Sequence, residues 1–274
     1  MIDRNPLLRK LTPQPLPLLL VAGTILALAS SARAQEGVVR WYDTVRQPLS
    51  DWRLVAGGGA LLAPAYEGSN EFELSPVPYI SATFGILTID TRGATLRAYD
   101  AESFSLDLTA GYDSGRDEDD ADHLEGLGDV DWGIDLTIKA SYEAGPGELY
   151  ASLTRTLGGS DGLTGTFGAA ASHRLSDTAT MTLGASSTWA DGRYMDSYFS
   201  VTPSQSARSG LATYDADAGF KRIDLDLAVA WRFTGRWTLI SQVGLGYLLG
   251  DAADSPIVEE ELQPSMALLV VYGF

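Results

Sequence analysis

The chain offers few residues with which to do covalent chemistry. It has no cysteine, and its only histidines are His123 and His173. Disulfides, thiolate metal sites and thiol nucleophiles are therefore excluded. Gly184-Ala185-Ser186-Ser187-Thr188 lacks the closing glycine of a nucleophile elbow. Gly57-Gly58-Gly59 runs into Ala60 and Leu61 rather than a Lys-Ser/Thr pair, so it is no phosphate loop. Those glycines read instead as a thinned strand wall or a bulge. His173 falls near a strand end and His123 in an acidic loop, so no shared histidine site is expected. A carboxylate-only hydrolase would remain, but no pair of carboxylates stands out. The reading is a protein without catalytic residues and without a cofactor.

The densest set of potential ligands is Asp117, Glu118, Asp119, Asp120, Asp122, Glu125, Asp129 and Asp131, with no Lys or Arg among residues 117–131. Clustered oxygens suit Ca²⁺, which makes Asp117, Glu118, Asp119, Asp120 and Asp122 weak candidate metal ligands. Their spacing misses the EF-hand pattern, because Asp122 stands where the sixth-position glycine is needed. A solvated outer loop, kept extended by like charges until counter-ions gather, is the preferred reading. Asp251, Asp254, Glu259, Glu260 and Glu261 form a second such loop. Both have the charge to cross-link through cations to phosphates of an outer leaflet.

The elements that carry these residues alternate with period two. In Ile223–Phe233, Ile223, Leu225, Leu227, Val229, Trp231 and Phe233 share one face, and Asp224, Asp226, Ala228, Ala230 and Arg232 the other. Phe104–Tyr112 and Ile134–Tyr142 repeat the pattern, with Asp107, Asp135 and Lys139 on the polar side. Such alternation marks strands with one apolar face. Weaker versions occupy Trp52–Leu62, Leu74–Phe84, Ile86–Thr91, Ala94–Asp100, Glu148–Leu157, Leu163–Arg174, Ala179–Ala190, Arg236–Gly250 and Pro264–Phe274. Twelve strands are expected, within a range of 10–14. The weak stretch is Leu74–Asp100, where Pro76 and Pro78 interrupt ladder bonding and a ten-strand count is the alternative.

Arg4, Arg9 and Lys10 precede the apolar run Leu16–Ala29, and Ala32-Arg33-Ala34 is a small-x-small cleavage pattern. This is a signal peptide over residues 1–34, cut between Ala34 and Gln35. Its removal takes the net charge from -17 to -20, since four basic residues and one acidic residue leave with it. An acidic exported chain has no basic patch for nucleic acid. No later run approaches the ~18 consecutive apolar residues of a spanning helix. Strands of about ten residues, apolar faces ending in Tyr112, Tyr142, Trp189, Trp231, Tyr247 and Tyr272, and polar opposite faces favour a membrane barrel over a soluble sandwich. Tyr272 and the terminal Phe274 share the outward face of the last strand, as expected of a barrel-assembly signal. Short connections at Thr234–Gly235, Leu175–Asp177 and Ala144–Gly147 alternate with long ones at Asp251–Gln263, Asp191–Tyr214 and Ser114–Gly128. An even strand count then puts both termini in the periplasm.

Ala63–Ser69, Ser75–Ile80, Gly115–Asp131, Thr188–Gly219 and Gly250–Glu259 resemble the MipA/OmpV family of outer-membrane proteins, in matching order from about Leu54 to Phe274. One departure is Gly273, where the family leads one to expect arginine before the final Phe. The resemblance implies a location in the Gram-negative outer membrane. It also implies a scaffold joining a membrane-bound lytic transglycosylase to a bifunctional peptidoglycan synthase, with porin-like or adhesive surface roles as alternatives. It implies no catalytic residues.

The organisation expected is therefore a signal peptide (1–34), a periplasmic segment (35–51) and an all-β transmembrane barrel (52–274) in contact with outer-membrane lipid. Arg40, Trp41, Tyr42 and Arg46 give the periplasmic segment a composition found at interfaces, although a loosely ordered leader is the plainer reading. Asp107, Asp135, Lys139, Asp224, Asp226 and Arg232 are the candidate lumen charges. Either they leave a cation-favouring path or they pair across the lumen and close it.

Overall fold

The computed structural model describes residues 53–274. The signal peptide with its Ala34/Gln35 cut and the segment 35–51 lie outside the described residues. Twelve antiparallel strands close into a barrel, each paired to its sequence neighbours and β1 to β12. They are β1 (Arg53–Pro64), β2 (Phe72–Phe84), β3 (Leu87–Asp90), β4 (Gly93–Asp100), β5 (Phe104–Asp113), β6 (Gly133–Ala144), β7 (Gly147–Gly158), β8 (Leu163–Ser176), β9 (Ala179–Ala190), β10 (Gly219–Thr234), β11 (Trp237–Leu248) and β12 (Leu262–Gly273). The twelve-strand expectation holds, and so does the short stretch that made it doubtful.

Period-two alternation fixes which face looks out. Leu225, Leu227, Leu136, Ile138, Leu153, Leu183, Val243 and Leu268 are exposed on the outer wall. Aromatic side chains ring both ends of this apolar surface. Tyr112 stacks on Trp132 at one end, with ring centroids 5.9 Å apart. At the other, Trp237, Tyr272 and Phe274 form a chain of edge contacts at 5.0 and 4.9 Å. A closed barrel with an apolar band between two aromatic girdles is the form that crosses a bilayer with strands.

Five two- or three-residue turns and both ends of the described chain lie at one end of the barrel, hereafter the turn end. Gly85 and Gly145 take positive φ in two of these turns, matching the twist of the hairpins they close. The opposite, loop end carries the long connections 114–132, 191–218 and 249–261. Two loop-end links, 91–92 and 159–162, are short as well, so short and long do not alternate throughout.

β2 pairs with β1 along its whole length but with β3 only over Ser81–Phe84. Pro76 and Pro78 sit on the stretch that has no β3 neighbour, where a missing N–H is tolerated and the free edge is blunted. At the β1/β12 seam, Gly57 and Gly59 face Val271 and Leu269. A Cβ at Gly57 would overlap the Val270 carbonyl, and one at Gly59 the Leu268 carbonyl. These glycines allow a close approach of two backbones, in line with a thinned wall.

Candidate functional site

The inner surface is two-sided in chemistry. Leu61, Ala63, Val77, Ala228, Ile240, Ala267, Leu269 and Val271, from β1, β2 and β10–β12, pack into one buried apolar cluster. Each large member of such a cluster contributes about 1.5–3 kcal/mol by leaving water. Alternation alone led one to expect a wetted inner face, but on this side apolar residues also point inward, beside the polar Asp224, Asp226 and Gln242. Ala228 of β10 and Ala267 of β12 are among its small members.

The other half of the lumen is polar, and register organises it. Thr83, Thr88, Thr95, Thr109, Thr137, Thr154 and Thr164 are successive cross-strand partners from β2 to β8. Their hydroxyls bond in pairs, Thr83 with Thr88 at 3.1 Å, Thr95 with Thr109 at 2.9 Å and Thr137 with Thr154 at 2.8 Å. Cross-strand hydroxyl pairs of this kind stabilise a sheet face while keeping it hydrophilic.

Most of the predicted lumen charges face inward and are held by close neighbours, Asp107, Asp135 and Lys139 on β5 and β6 and Asp224 and Asp226 on β10. Asp107 is buried and binds the Arg97 guanidinium. Asp135 accepts the Thr156 hydroxyl at 2.6 Å. Lys139 lies 3.6 Å from Glu148 and 4.6 Å from the centre of the Tyr150 ring. Asp224 accepts from Arg222 Nε at 2.6 Å, and Asp226 from Gln242 at 3.3 Å. Arg232 is different. It is exposed at the turn end, where Nη2 donates to the Asp177 carbonyl at 3.3 Å, so it belongs to the rim.

The long loops fold into a cap at the loop end. Ala65 and Tyr66 from the first loop, Ala121, Leu124 and Leu127 from the acidic loop, and Val201 and Ile257 form one buried cluster. Tyr194, Met195 and Phe199 of α1 (Gly192–Phe199) form another with Ala190, Ala216 and Ala252. Asp191 caps α1 by accepting the Tyr194 N–H at 3.0 Å. Thr202 and Gln205 form a capping box on α2 (Pro203–Ser209), and Gln205 Nε2 reaches the Leu127 carbonyl at 2.7 Å. Ser255 donates to the Phe199 carbonyl at 2.6 Å, beside α3 (Gly250–Ala253).

The acidic loop is therefore folded rather than extended, which corrects the sequence reading on that point. Its leucines supply the burial that its charge density concealed. Glu118 accepts from the Gly126 and Gly128 N–H groups at 3.0 and 2.9 Å, and Asp120 from the Asp117 N–H at 3.0 Å. Asp119, Asp122, Glu125, Asp129 and Asp131 remain exposed. Among the described residues, no group of three or more His, Asp or Glu is placed to hold a metal ion. Of the weak candidates, Asp117 and Asp120 share a turn contact, Glu118 holds the two glycine N–H groups, and Asp119 and Asp122 are exposed. His123 ties this loop to the last one, with Nε2 3.0 Å from the Pro256 carbonyl.

Under the cap lies a charged cluster that sequence reading missed. Glu67 of the first loop accepts from Lys221 Nζ at 2.7 Å and lies 3.5 Å from Arg222 Nη1. Lys221 is 3% exposed, and its ammonium also reaches the Tyr194 hydroxyl at 2.7 Å. A β-bulge between Phe220 and Arg222 turns both cations to the inside. The signal was present, since Lys221-Arg222 breaks the alternation that resumes at Ile223. Arg116, 6% exposed, donates to the Tyr198 carbonyl at 2.8 Å and lies against the Tyr198 ring. Burial pulls its pKa down. Tyr66, beside Glu259, has its hydroxyl pKa pushed far up by burial first and then by that carboxylate.

These features define a transmembrane β-barrel with a folded loop cap and an interior that is part polar and part apolar. The family model for the MltA-interacting protein MipA matches residues 56–274, and the chain belongs to that family. It is an outer-membrane β-barrel protein. No curated protein matches the sequence. Among solved structures it is similar to the translocator domain of autotransporter NalP from Neisseria meningitidis, at 12% identity and a TM-score of 0.44, covering 94% of this chain and 99% of that one. It is also similar to the NanC porin, at 8% identity and a TM-score of 0.42, covering 80% and 98%. OmpT of Vibrio cholerae follows at 8% identity and a TM-score of 0.35, covering 82% and 97%.

Proposed function

We propose that this barrel is an anchoring scaffold, not an enzyme, which ties murein-remodelling enzymes to the outer membrane. The partners would be a lytic transglycosylase and a bifunctional peptidoglycan synthase. The family description, which names an interacting protein, supports the first of them. The observation that carries the reading is the contrast between the two ends. Four interlocked loops and two buried clusters cover the loop end. The turn end gathers five short turns and both ends of the described chain on one rim. Such a rim suits docking, and the segment 35–51 adds Arg40, Trp41, Tyr42 and Arg46 beside it in sequence. Export by a signal peptide cut after Ala34 belongs to the proposal, and N-terminal sequencing of the mature protein tests it.

Crosslinking pull-downs from envelope membranes, with and without residues 35–51 and with the turns exchanged, test the scaffold role. Recovery of both enzymes with the intact chain is expected. Recovery of neither overturns it. A narrow channel is the second reading, favoured by the threonine row and the charges of the polar half. Planar-bilayer recording that shows no conductance steps removes that alternative.

A further inference from the structure

We propose that the outer wall of the barrel holds, on β7 beside the start of α1, a docking site for the phosphate of an outer-leaflet lipid, centred on Arg155. Along β7, Leu153 and Leu157 are exposed on the lipid side, at 52% and 46%. Period two puts Arg155, between them, on the same face. Its cross-strand partner on β6 is Leu136, also exposed on that face, and on β8 it is Leu163. A guanidinium thus stands among leucines on the surface that faces the bilayer. Arg97, Lys139, Lys221 and Arg222 of other strands instead meet carboxylates inside the barrel or under its cap.

The depth of Arg155 is that of lipid head groups. It lies three residues short of Gly158, where β7 ends at the loop end. Leu157 pairs with Ile134 and Ile134 with Tyr112, which stacks on Trp132 in the loop-end girdle. Such girdles mark the level of the head groups. A lipid-facing arginine is strongly unfavourable at the bilayer midplane but nearly free here, where its long side chain reaches the polar layer. The protein itself satisfies this cation poorly. Among the described residues, the one carboxylate within ion-pair reach is Asp191, whose Oδ2 is 4.0 Å from Nη1. That carboxylate is already engaged in capping α1. The Arg155 guanidinium donates no hydrogen bond among the described residues, and its side chain is 37% exposed. Ionisable groups on a membrane-facing surface call for a partner, and this one has its planar fork of donors turned outward.

Arg193 brings a second cation to this corner. It follows Asp191 by two residues, is exposed, and has no ion pair among the described residues. The first turn of α1 rests on the β7–β8 link, since a Cβ at Gly162 would lie 2.7 Å from Tyr194 Cβ. Phosphate is the complement, because the guanidinium fork matches its oxygens two at a time. The source is the membrane. A net charge of -17 repels soluble anions, whereas lipid phosphates are held against the wall at the depth of Arg155.

The probe is lipid A bearing its phosphates, added to the purified mature barrel in phosphatidylcholine nanodiscs, with native mass spectrometry counting the lipid A retained on the protein. Retention on the wild-type barrel is expected, and far less of the dephosphorylated lipid. Arg155→Gln should lower retention about tenfold, the scale of one charge-assisted hydrogen bond. Arg155→Lys, which keeps the charge without the fork, should fall between the two. Arg208→Gln, which changes an exposed arginine of the cap, should leave retention unchanged. Heat-modifiable migration of every variant on gels confirms the barrel. Equal retention by the wild type and Arg155→Gln overturns the proposal, and so does equal retention of the dephosphorylated lipid. Equal weakening by Arg208→Gln overturns it as well, since that reveals general attraction to cations. Displacement of lipid A by inorganic phosphate at matched ionic strength assigns the site to a free anion and overturns lipid docking.

Discussion

Replacing Glu67 by glutamine strips the cap of the anion that holds it to the barrel wall. Lys221 then loses its 2.7 Å carboxylate partner and keeps the Tyr194 hydroxyl at 2.7 Å, whereas Arg222 keeps Asp224 at 2.6 Å. Removing one partner of a buried ion pair costs about 3–5 kcal/mol, mostly because the other charge stays buried. Two considerations set the low end, about 3 kcal/mol. Arg222 is already satisfied, and the Glu67 side chain retains 12% of its exposure. The cost falls on docking of residues 65–71, not on the strands. Amide hydrogen exchange in that loop should therefore accelerate by about a hundredfold, the factor to which roughly 3 kcal/mol corresponds. The pair variant Glu67→Leu with Lys221→Leu removes both charges and should recover most of the protection, as buried pairs replaced by apolar groups generally do. Exchange that changes by less than about threefold in Glu67→Gln refutes the latch. A pair variant less protected than the two single changes summed does the same, by the logic of a double-mutant cycle.

At the closure seam, Gly59→Val drives a side chain into the Leu268 carbonyl and should abolish heat-modifiable migration, while Gly58→Ala, which meets Val77 O at an ordinary 3.5 Å, should fold. Thr137→Val leaves Thr154 without its 2.8 Å partner and should cost about 1 kcal/mol in urea unfolding from vesicles, with the pair Thr137→Val and Thr154→Val closer to wild type. Cap stability should depend on alkaline pH. Tyr66 keeps its proton in the fold well above the ordinary phenol value of 10.0, because burial and Glu259 oppose its ionisation. The unfolded chain loses that proton near pH 10, so the stabilisation is complete below that pH and falls by about 1.4 kcal/mol per unit above it. Tyr66→Phe should remove one proton's share of that slope, read from exchange in residues 65–71 between pH 9 and 11.

Strand positions, the outward face and the location of both described chain ends at the turn end were legible because period-two alternation is local. Leu225, Leu227 and Trp231 announce the lipid side without any knowledge of partners. Register is not local. The seven threonines from Thr83 to Thr164 belong to different segments, and only pairing makes them a row. Arg97 was hidden for the same reason, since its carboxylate is Asp107 on the next strand. The apolar inner cluster escaped because Ala228 and Ala267 read as small wet-face residues until Leu61, Ile240 and Leu269 are packed beside them. Glu67 and Lys221 are 154 residues apart. The acidic loop misled in the opposite sense, because Leu124 and Leu127 looked incidental among so many carboxylates.

The apolar inner cluster also bears on how the barrel assembles. It draws on β1, β2 and β10–β12, strands from the two extremes of the chain, and sits beside the one junction that sequence neighbours cannot form. Until β1 meets β12, both strands are open edges and the cluster is split in two. Closing so long a loop carries the largest entropic cost of any pairing in the molecule. The last step of folding thus coincides with completion of the interior's apolar packing. A barrel that stalls before it exposes the glycine-rich β1 edge, an unpaired strand open to association with other chains.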